Sequence, residues 1–129
     1  MLFRSGVFCN DQKVAPPKNL PLEEGLFGVG GKMLLSNYRN VQSAAKKSLG
    51  VRIYGSSGIE FIHVLTGKNV SYLSHLRPWD YAAGKILAET LGLVVKTIDV
   101  KFFNELIDIG DQIAPTCFFF NAKFLSTTL

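Results

Sequence analysis

From Gly50 to Gly92 strand-like and helix-like stretches alternate, and glycine, serine or proline stands at each change of period. VRIY has strand character, and Ser57 followed three residues later by Glu60 is the capping-box signal of a helix running to about Leu65, which Gly67 closes. NVSYLSHL is again strand-like. Pro78 then sits in the first turn of a second helix that runs to about Leu91, where its missing N–H has no intrahelical partner to lose. This alternation leaves few architectures open. Strands joined through helices build a sheet with helices packed on it, the α/β class.

The flanks fit the same class. VFC, Asn10-Asp11 and QKVA read as two short strands about a tight turn, because Asn and Asp tolerate left-handed backbone, and Pro16-Pro17 ends the ladder. LFGVGG is a short strand ending in glycines, where backbone or ligand can approach closely. Leu34, Tyr38, Val41 and Ala45 recur at helical spacing and predict one amphipathic helix from Met33 to Lys47. LVVKTIDV and CFFFN are strand-like, joined by the irregular KFFNELIDIGDQIAP, with a short helix expected around Ala122 to Ser126. The expected fold is an α/β mixed sheet with packed helices, in a single domain over residues 1–129.

A chain of 129 residues can bury a real core, and with 47% apolar against 19% charged residues it is rich in core-forming material. Few helices are available to cover that much apolar surface, so the chain reads as part of something larger. Lys and Arg exceed Asp and Glu by 14 to 10, a net charge of +4 that favours anionic ligands without calling for nucleic acid. Cys9 and Cys117 form neither a disulfide framework nor a metal pattern, and a reducing cytoplasm suits them. There is no sustained apolar run of about eighteen residues, so no membrane span is expected. His63 and His75 have no neighbours at ligand spacing, and Asp108 and Asp111, with Glu105 near, read as a solvated loop.

Two helix starts carry the candidate chemistry. Trp79, Ala82, Ala83, Ile86, Leu87 and Thr90 follow one helical stripe, expected to face the core, and Asp80 lies off it. A carboxylate in the first turn is favoured by the unpaired N–H groups there, so Asp80 is either an ordinary helix-start charge or one ligand of a site assembled from elsewhere. Gly55-Ser56-Ser57 presents free N–H groups and hydroxyls at the other start, which is anion-binding geometry or simply a cap.

Arg52, Gly55-Ser56-Ser57, Gly67 and Pro78-Trp79-Asp80-Tyr81-Ala82-Ala83-Gly84, with Glu89 and Gly92, resemble the carboxy-terminal half of the inositol monophosphatase family. The resemblance implies a magnesium-dependent phosphate monoester hydrolase acting on a phosphorylated small molecule, in which carboxylates hold Mg²⁺ ions that neutralise phosphate oxygens and activate water. On it, Asp80 matches the aspartate that ligates a metal and orients the leaving group, serving both as catalytic residue and as metal ligand. Gly55, Ser56 and Ser57 match the segment that lies against the substrate. Trp79 would then anchor the helix in the core, while Ala82, Ala83 and Gly84 leave room for metal and phosphate.

This sequence departs from the family pattern in three places. The glutamate of a G-E motif and the carboxylates of D-P-[IL]-D-G-[ST] have no counterpart in these 129 residues, so most of the ligand set is missing. Seven residues before Asp80, where inositol-specific members carry a glutamate that meets the sugar hydroxyls, stands Leu73. The family's E-A-G-G becomes Glu89-Thr90-Leu91-Gly92, a local packing change. The expected function is a metal-dependent phosphomonoesterase present as a partial chain, and the alternative is a non-catalytic remnant or assembly module that binds another chain. Either way the bare surface predicts a dimer or larger homo-oligomer, or an amino-terminal half that covers it. Leu93 to Val95 and Cys117 to Phe120 are the expected contact segments.

Overall fold

The computed structural model describes residues 2–3, 6–35, 38–98 and 116–120. Strands β1 (Leu2–Phe3), β2 (Gly6–Cys9) and β3 (Gln12–Lys13) form a small antiparallel meander. Asn10 and Asp11 turn between the last two with φ of 49° and 64°, the left-handed pair that a two-residue hairpin requires. The main sheet follows. It is made of β4 (Leu26–Val29), β5 (Gly50–Arg52), β6 (Ser71–His75), β7 (Val94–Ile98) and β8 (Thr116–Phe120), in the order β5-β4-β6-β8-β7. β4 runs parallel to both β5 and β6, while β8 is antiparallel to β6 and β7, so the sheet is mixed.

The helices cover opposite faces. α1 (Gly31–Leu35) and α2 (Arg39–Lys47) connect β4 to β5, and their Met33, Val41 and Ala44 pack with Phe27, Val29 and Leu73 in one buried cluster. α3 (Ser57–Leu65) and α4 (Pro78–Thr90) lie on the other face, where Phe61, Val64, Leu65 and Ala88 pack with Tyr72, Leu91 and Leu93. Alternation along the strands produces this division, Phe27 and Val29 facing one layer and Gly28 the other. The connection leaving β4 thus covers one face and those leaving β5 and β6 cover the other. A crevice opens at the carboxyl ends of strands whose connections diverge in this way.

The expected helix from Met33 to Lys47 is two helices. Tyr38 has extended backbone (φ −83°, ψ 105°) and starts α2, and its fully buried ring meets His75 edge-on with centroids 6.4 Å apart. A buried tyrosine at the junction takes precedence over a continuous helical period. The capping signal at Ser57 and Glu60 also resolves differently: the cap residue is Ser56, with no side-chain cap bond, and Glu60 turns into the interior.

Trp79 does not anchor α4. It is 77% exposed, Ala82, Ala83 and Ile86 are exposed with it, and the face turned to the core carries Tyr81, Gly84, Leu87 and Ala88. The Arg77 guanidinium lies over the Trp79 ring at 5.6 Å from its centroid. Trp79→Ala is therefore expected to change the stability of the monomeric chain by about 0.5 kcal/mol or less. A denaturant melt at low protein concentration checks this; a loss of several kcal/mol would mean that the ring is buried after all.

Of the expected contact segments, Leu93 is buried, Val94 and Val95 pack against the two cores, and β8 is hydrogen-bonded on both sides. Exposed apolar side chains stand instead on α3 and α4, at Ile59, Ile62, Trp79 and Ile86, and apart from these at Leu35, Leu49, Ile53 and Tyr54. The expected helix around Ala122 to Ser126 and the loop with Glu105, Asp108 and Asp111 lie outside the described residues. Cys9 is exposed as a free thiol, and no described helix is long and apolar enough to cross a membrane.

Candidate active-site cleft

At the carboxyl ends of β4, β5 and β6 lies an open cleft of about 350 Å³. Gly30, Gly31 and Lys32 enter it from the end of β4, Ile53 and Gly55-Ser56-Ser57 from the loop after β5, and Ser74, His75 and Leu76 from the end of β6. Asp80 closes the rim from the first turn of α4, and Glu60 and Tyr72 lie deeper. All four residues singled out from the sequence thus meet in one place. They come from two helix starts separated by a whole strand, and the parallel order of β5, β4 and β6 brings those starts to the same end of the sheet.

The loop before α3 turns at Gly55, whose φ of +74° is left-handed backbone suited to glycine. Ser56 is then extended (φ −140°, ψ 122°), and the first intrahelical bond is Glu60 N–H to the Ser56 carbonyl at 3.0 Å. The earlier N–H groups of α3 have no partner within the helix, and Ser56 and Ser57, at this positive end of the helix dipole, line the cleft. No serine caps them. Glu60 Oε2 accepts a hydrogen bond from Tyr54 N–H in this loop at 3.0 Å, while the Tyr54 ring stacks on His63 with centroids 4.3 Å apart and planes 6° from parallel.

Asp80 has an ordinary role at its helix start. Its Oδ2 accepts a hydrogen bond from Arg77 N–H at 3.3 Å, the carboxylate half of a capping box, while the side chain stays exposed at the rim. Glu60 is different, being 1% exposed. Burial pushes its carboxyl above the ordinary range, against the smaller opposing pull of the Tyr54 hydrogen bond. Its Oε1 has no hydrogen-bond partner.

The small residues of the α4 motif divide into two groups. Ala82 and Ala83 are exposed on the outer face rather than clearing space for a ligand, and Gly84 is buried against the Phe61 ring of α3. Leu73 also lies elsewhere than expected. It is 1% exposed in the core on the α2 side of the sheet, and its neighbour Ser74 is the residue that faces the cleft, packed on Gly30. Counting seven residues back from Asp80 therefore runs one residue past the cleft-facing position, and neither position holds a carboxylate.

Sequence reasoning missed Glu60, Ser74, His75 and Lys32 as cleft residues. The glycines of LFGVGG were a usable signal for Lys32, since they mark where backbone approaches a ligand; Glu60 imitated a cap and gave none. Among the described residues no three His, Cys, Asp or Glu side chains gather to hold a metal ion. These residues alone do not fit Mg²⁺, which binds firmly only where several oxygen ligands converge.

A mixed sheet covered on both faces, with an open cleft at the carboxyl ends of its parallel strands, defines an α/β domain of the kind in which ligands bind at such crevices. The chain belongs to the inositol monophosphatase family, whose sequence profile it matches over residues 4–116. It is 34% identical over 106 residues to the inositol-1-monophosphatase of Bacillus subtilis, covering 78% of this chain and 40% of that protein. To the fructose-1,6-bisphosphatase/inositol-1-monophosphatase of Thermotoga maritima it is 27% identical over 101 residues, covering 78% and 39%. Its fold superposes on the crystal structure of an IMPase/NADP phosphatase complexed with Mg²⁺ and phosphate with a TM-score of 0.76 and 26% identity, over 97% of this chain and 45% of that one. The chain thus spans less than half the length of these relatives.

Proposed function

We propose that this chain supplies the carboxy-terminal half of a phosphate monoester hydrolase site. Gly55, Ser56 and Ser57 receive the phosphate of a small phosphorylated substrate, and Asp80 contributes one oxygen ligand to a divalent cation, Mg²⁺. The observation that carries this reading is that Asp80 and the Gly55-Ser56-Ser57 start of α3 line one cleft. A bound cation would supply charge neutralisation and an activated water. The α3 start orients the phosphate through N–H groups and the Ser56 and Ser57 hydroxyls, and Asp80, held by Arg77 N–H through Oδ2, keeps Oδ1 for the cation or the leaving group.

The remaining ligands come from outside these 129 residues, because neither the G-E motif nor D-P-[IL]-D-G-[ST] occurs in them. The exposed Ile59, Ile62, Trp79 and Ile86 face supports a second chain segment seated there, as an amino-terminal half or, failing that, another copy of this chain. The same face supports the other reading, a non-catalytic module that binds another chain. Ser74 at the cleft, in place of a carboxylate, gives no preference for inositol over other phosphorylated alcohols. The free thiol of Cys9 suits a cytoplasmic setting.

The test is Mg²⁺-dependent hydrolysis of a generic phosphate monoester. The chain alone is expected to give no turnover above a metal-free control. Mixed or co-expressed with the part of the Bacillus relative that it does not match, it is expected to turn over, and Asp80→Asn should then reduce the rate on the order of 100-fold or more. Turnover by the chain alone would contradict the half-site reading, and a folded, assembled but inactive pair would favour the binding module.

A further inference from the structure

Glu60 stands where a helix interior normally carries an apolar residue, and both of its oxygens face structures the cleft depends on. Oε2 holds the Tyr54 N–H, in the loop that leads to Gly55. Oε1, with no hydrogen-bond partner, lies over β4: a Cβ placed on Gly28 would meet it at 2.9 Å, and would meet Asn69 Nδ2 at 3.0 Å and the Ser71 carbonyl at 2.9 Å. Asn69 is 2% exposed, and neither Oδ1 nor Nδ2 of its side chain has a partner. Placing Glu60 Oε1 and the Asn69 amide in the core without partners costs stability that packing alone does not recover. Such an arrangement is expected where a site needs it.

We propose that Glu60 is the positioning residue of the cleft, a buried acceptor that fixes the loop 53–56 so that the start of α3 stays directed at a bound anion. This deepens the reading of Gly55, Ser56 and Ser57 as a phosphate cradle and rests on it for its consequence, though not for its geometry. The need for such a device follows from the cap itself. In most helices the cap serine or threonine spends its hydroxyl on the first N–H groups. Here Ser56 makes no cap bond, so the N–H groups and hydroxyls that could meet a ligand are not spent on the helix. The loop must then be ordered from elsewhere. Glu60 does this from one turn inside the helix, and His63, one turn further on, supports it by stacking under Tyr54. Gly28 belongs to the same device, since any side chain there would displace the Glu60 carboxyl.

The role is that of an acceptor, so Gln should replace Glu60 and Ala should not. Amide hydrogen exchange of the full 129-residue chain reads it directly. In Glu60→Ala the Tyr54 amide is expected to exchange at least about tenfold faster than in the wild type, with Tyr72 and Leu73 in β6 unchanged; in Glu60→Gln it should stay within about threefold. Titration with inorganic phosphate should shift the Ser56 and Ser57 amides in the wild type and in Glu60→Gln, and at least about tenfold more weakly in Glu60→Ala. An unchanged Tyr54 amide in Glu60→Ala overturns the proposal, as does loosening of β6 to the same degree, which would make Glu60 a general core residue. Should Glu60→Ala not fold, Glu60→Gln decides: loss of Tyr54 protection in that variant rejects the acceptor role, and retention upholds it. If phosphate shifts nothing even in the wild type while the Tyr54 order holds, the cradle reading fails and the positioning by Glu60 stands.

Discussion

Gly84→Val is expected to destabilise the chain by about 3 kcal/mol or more, at the upper end of what overpacking a core usually costs. A Cβ at position 84 would stand 2.7 to 2.8 Å from three carbons of the Phe61 ring, closer than real Cβ atoms come. The ring cannot easily yield. It is buried, and its other side meets Tyr72 in a T-shaped contact with centroids 5.7 Å apart, so moving it disturbs the sheet. The alternative is for α4 to lift off α3, which would carry Asp80 away from the start of α3 and open the cleft. Glycine inside a helix costs up to about 1 kcal/mol relative to alanine, so Gly84→Ala sets a small propensity gain against the clash and should still lose stability. Ala83→Leu, one residue away on the exposed face, should change stability by no more than about 0.5 kcal/mol. Urea melts of the three variants give the ordering. A Gly84→Val chain as stable as the wild type would mean that α3 and α4 do not pack through this glycine.

The contrast between positions 83 and 84 shows how far the sequence could be read. Where α4 begins and ends was legible, because Pro78 and Gly92 carry local backbone preferences that act whatever the surroundings. Which face of α4 is inside was not. The helix has two apolar faces, one with Trp79 and Ile86 and one with Tyr81, Leu87 and Ala88, and periodicity reports that a face is apolar without saying what covers it. The larger side chains turned out to be the exposed ones. Local signals failed in the same way at Tyr38, where burial of one ring interrupts a helical period, and at Glu60, where a capping pattern conceals a buried carboxyl. The candidate site was legible at its two helix starts, since both are defined by residues adjacent in sequence. Ser74, His75 and Glu60 join it only through the order of the strands and the helices packed on them, and the difference between Leu73 and Ser74 rests on which way a strand residue points.

The two apolar faces of α4 lead to the second large effect. The chain is expected to sediment as a dimer or larger species at micromolar concentration, and the double variant Trp79→Asp, Ile86→Asp as a monomer, with association weakened at least about 100-fold. An exposed tryptophan, with exposed isoleucines on the same helix and on the helix packed against it, has the composition of an interface centre, where truncating one aromatic anchor commonly costs 2 kcal/mol or more, about thirtyfold. Aspartate adds to that loss the desolvation of an unpaired charge in the contact. Neither change should harm the fold, because both side chains project away from the two buried clusters. Loss of association without loss of stability is therefore the signature of this face as a contact surface, and Val95→Asp, on the side turned to the core, should show the opposite pattern. The same double variant should abolish any activity restored by the remainder of the Bacillus relative, since both events require the same face to be covered. A wild-type chain that stays monomeric at all concentrations would remove the reason for a partner on α3 and α4, and the half-site reading would then rest on the cleft alone.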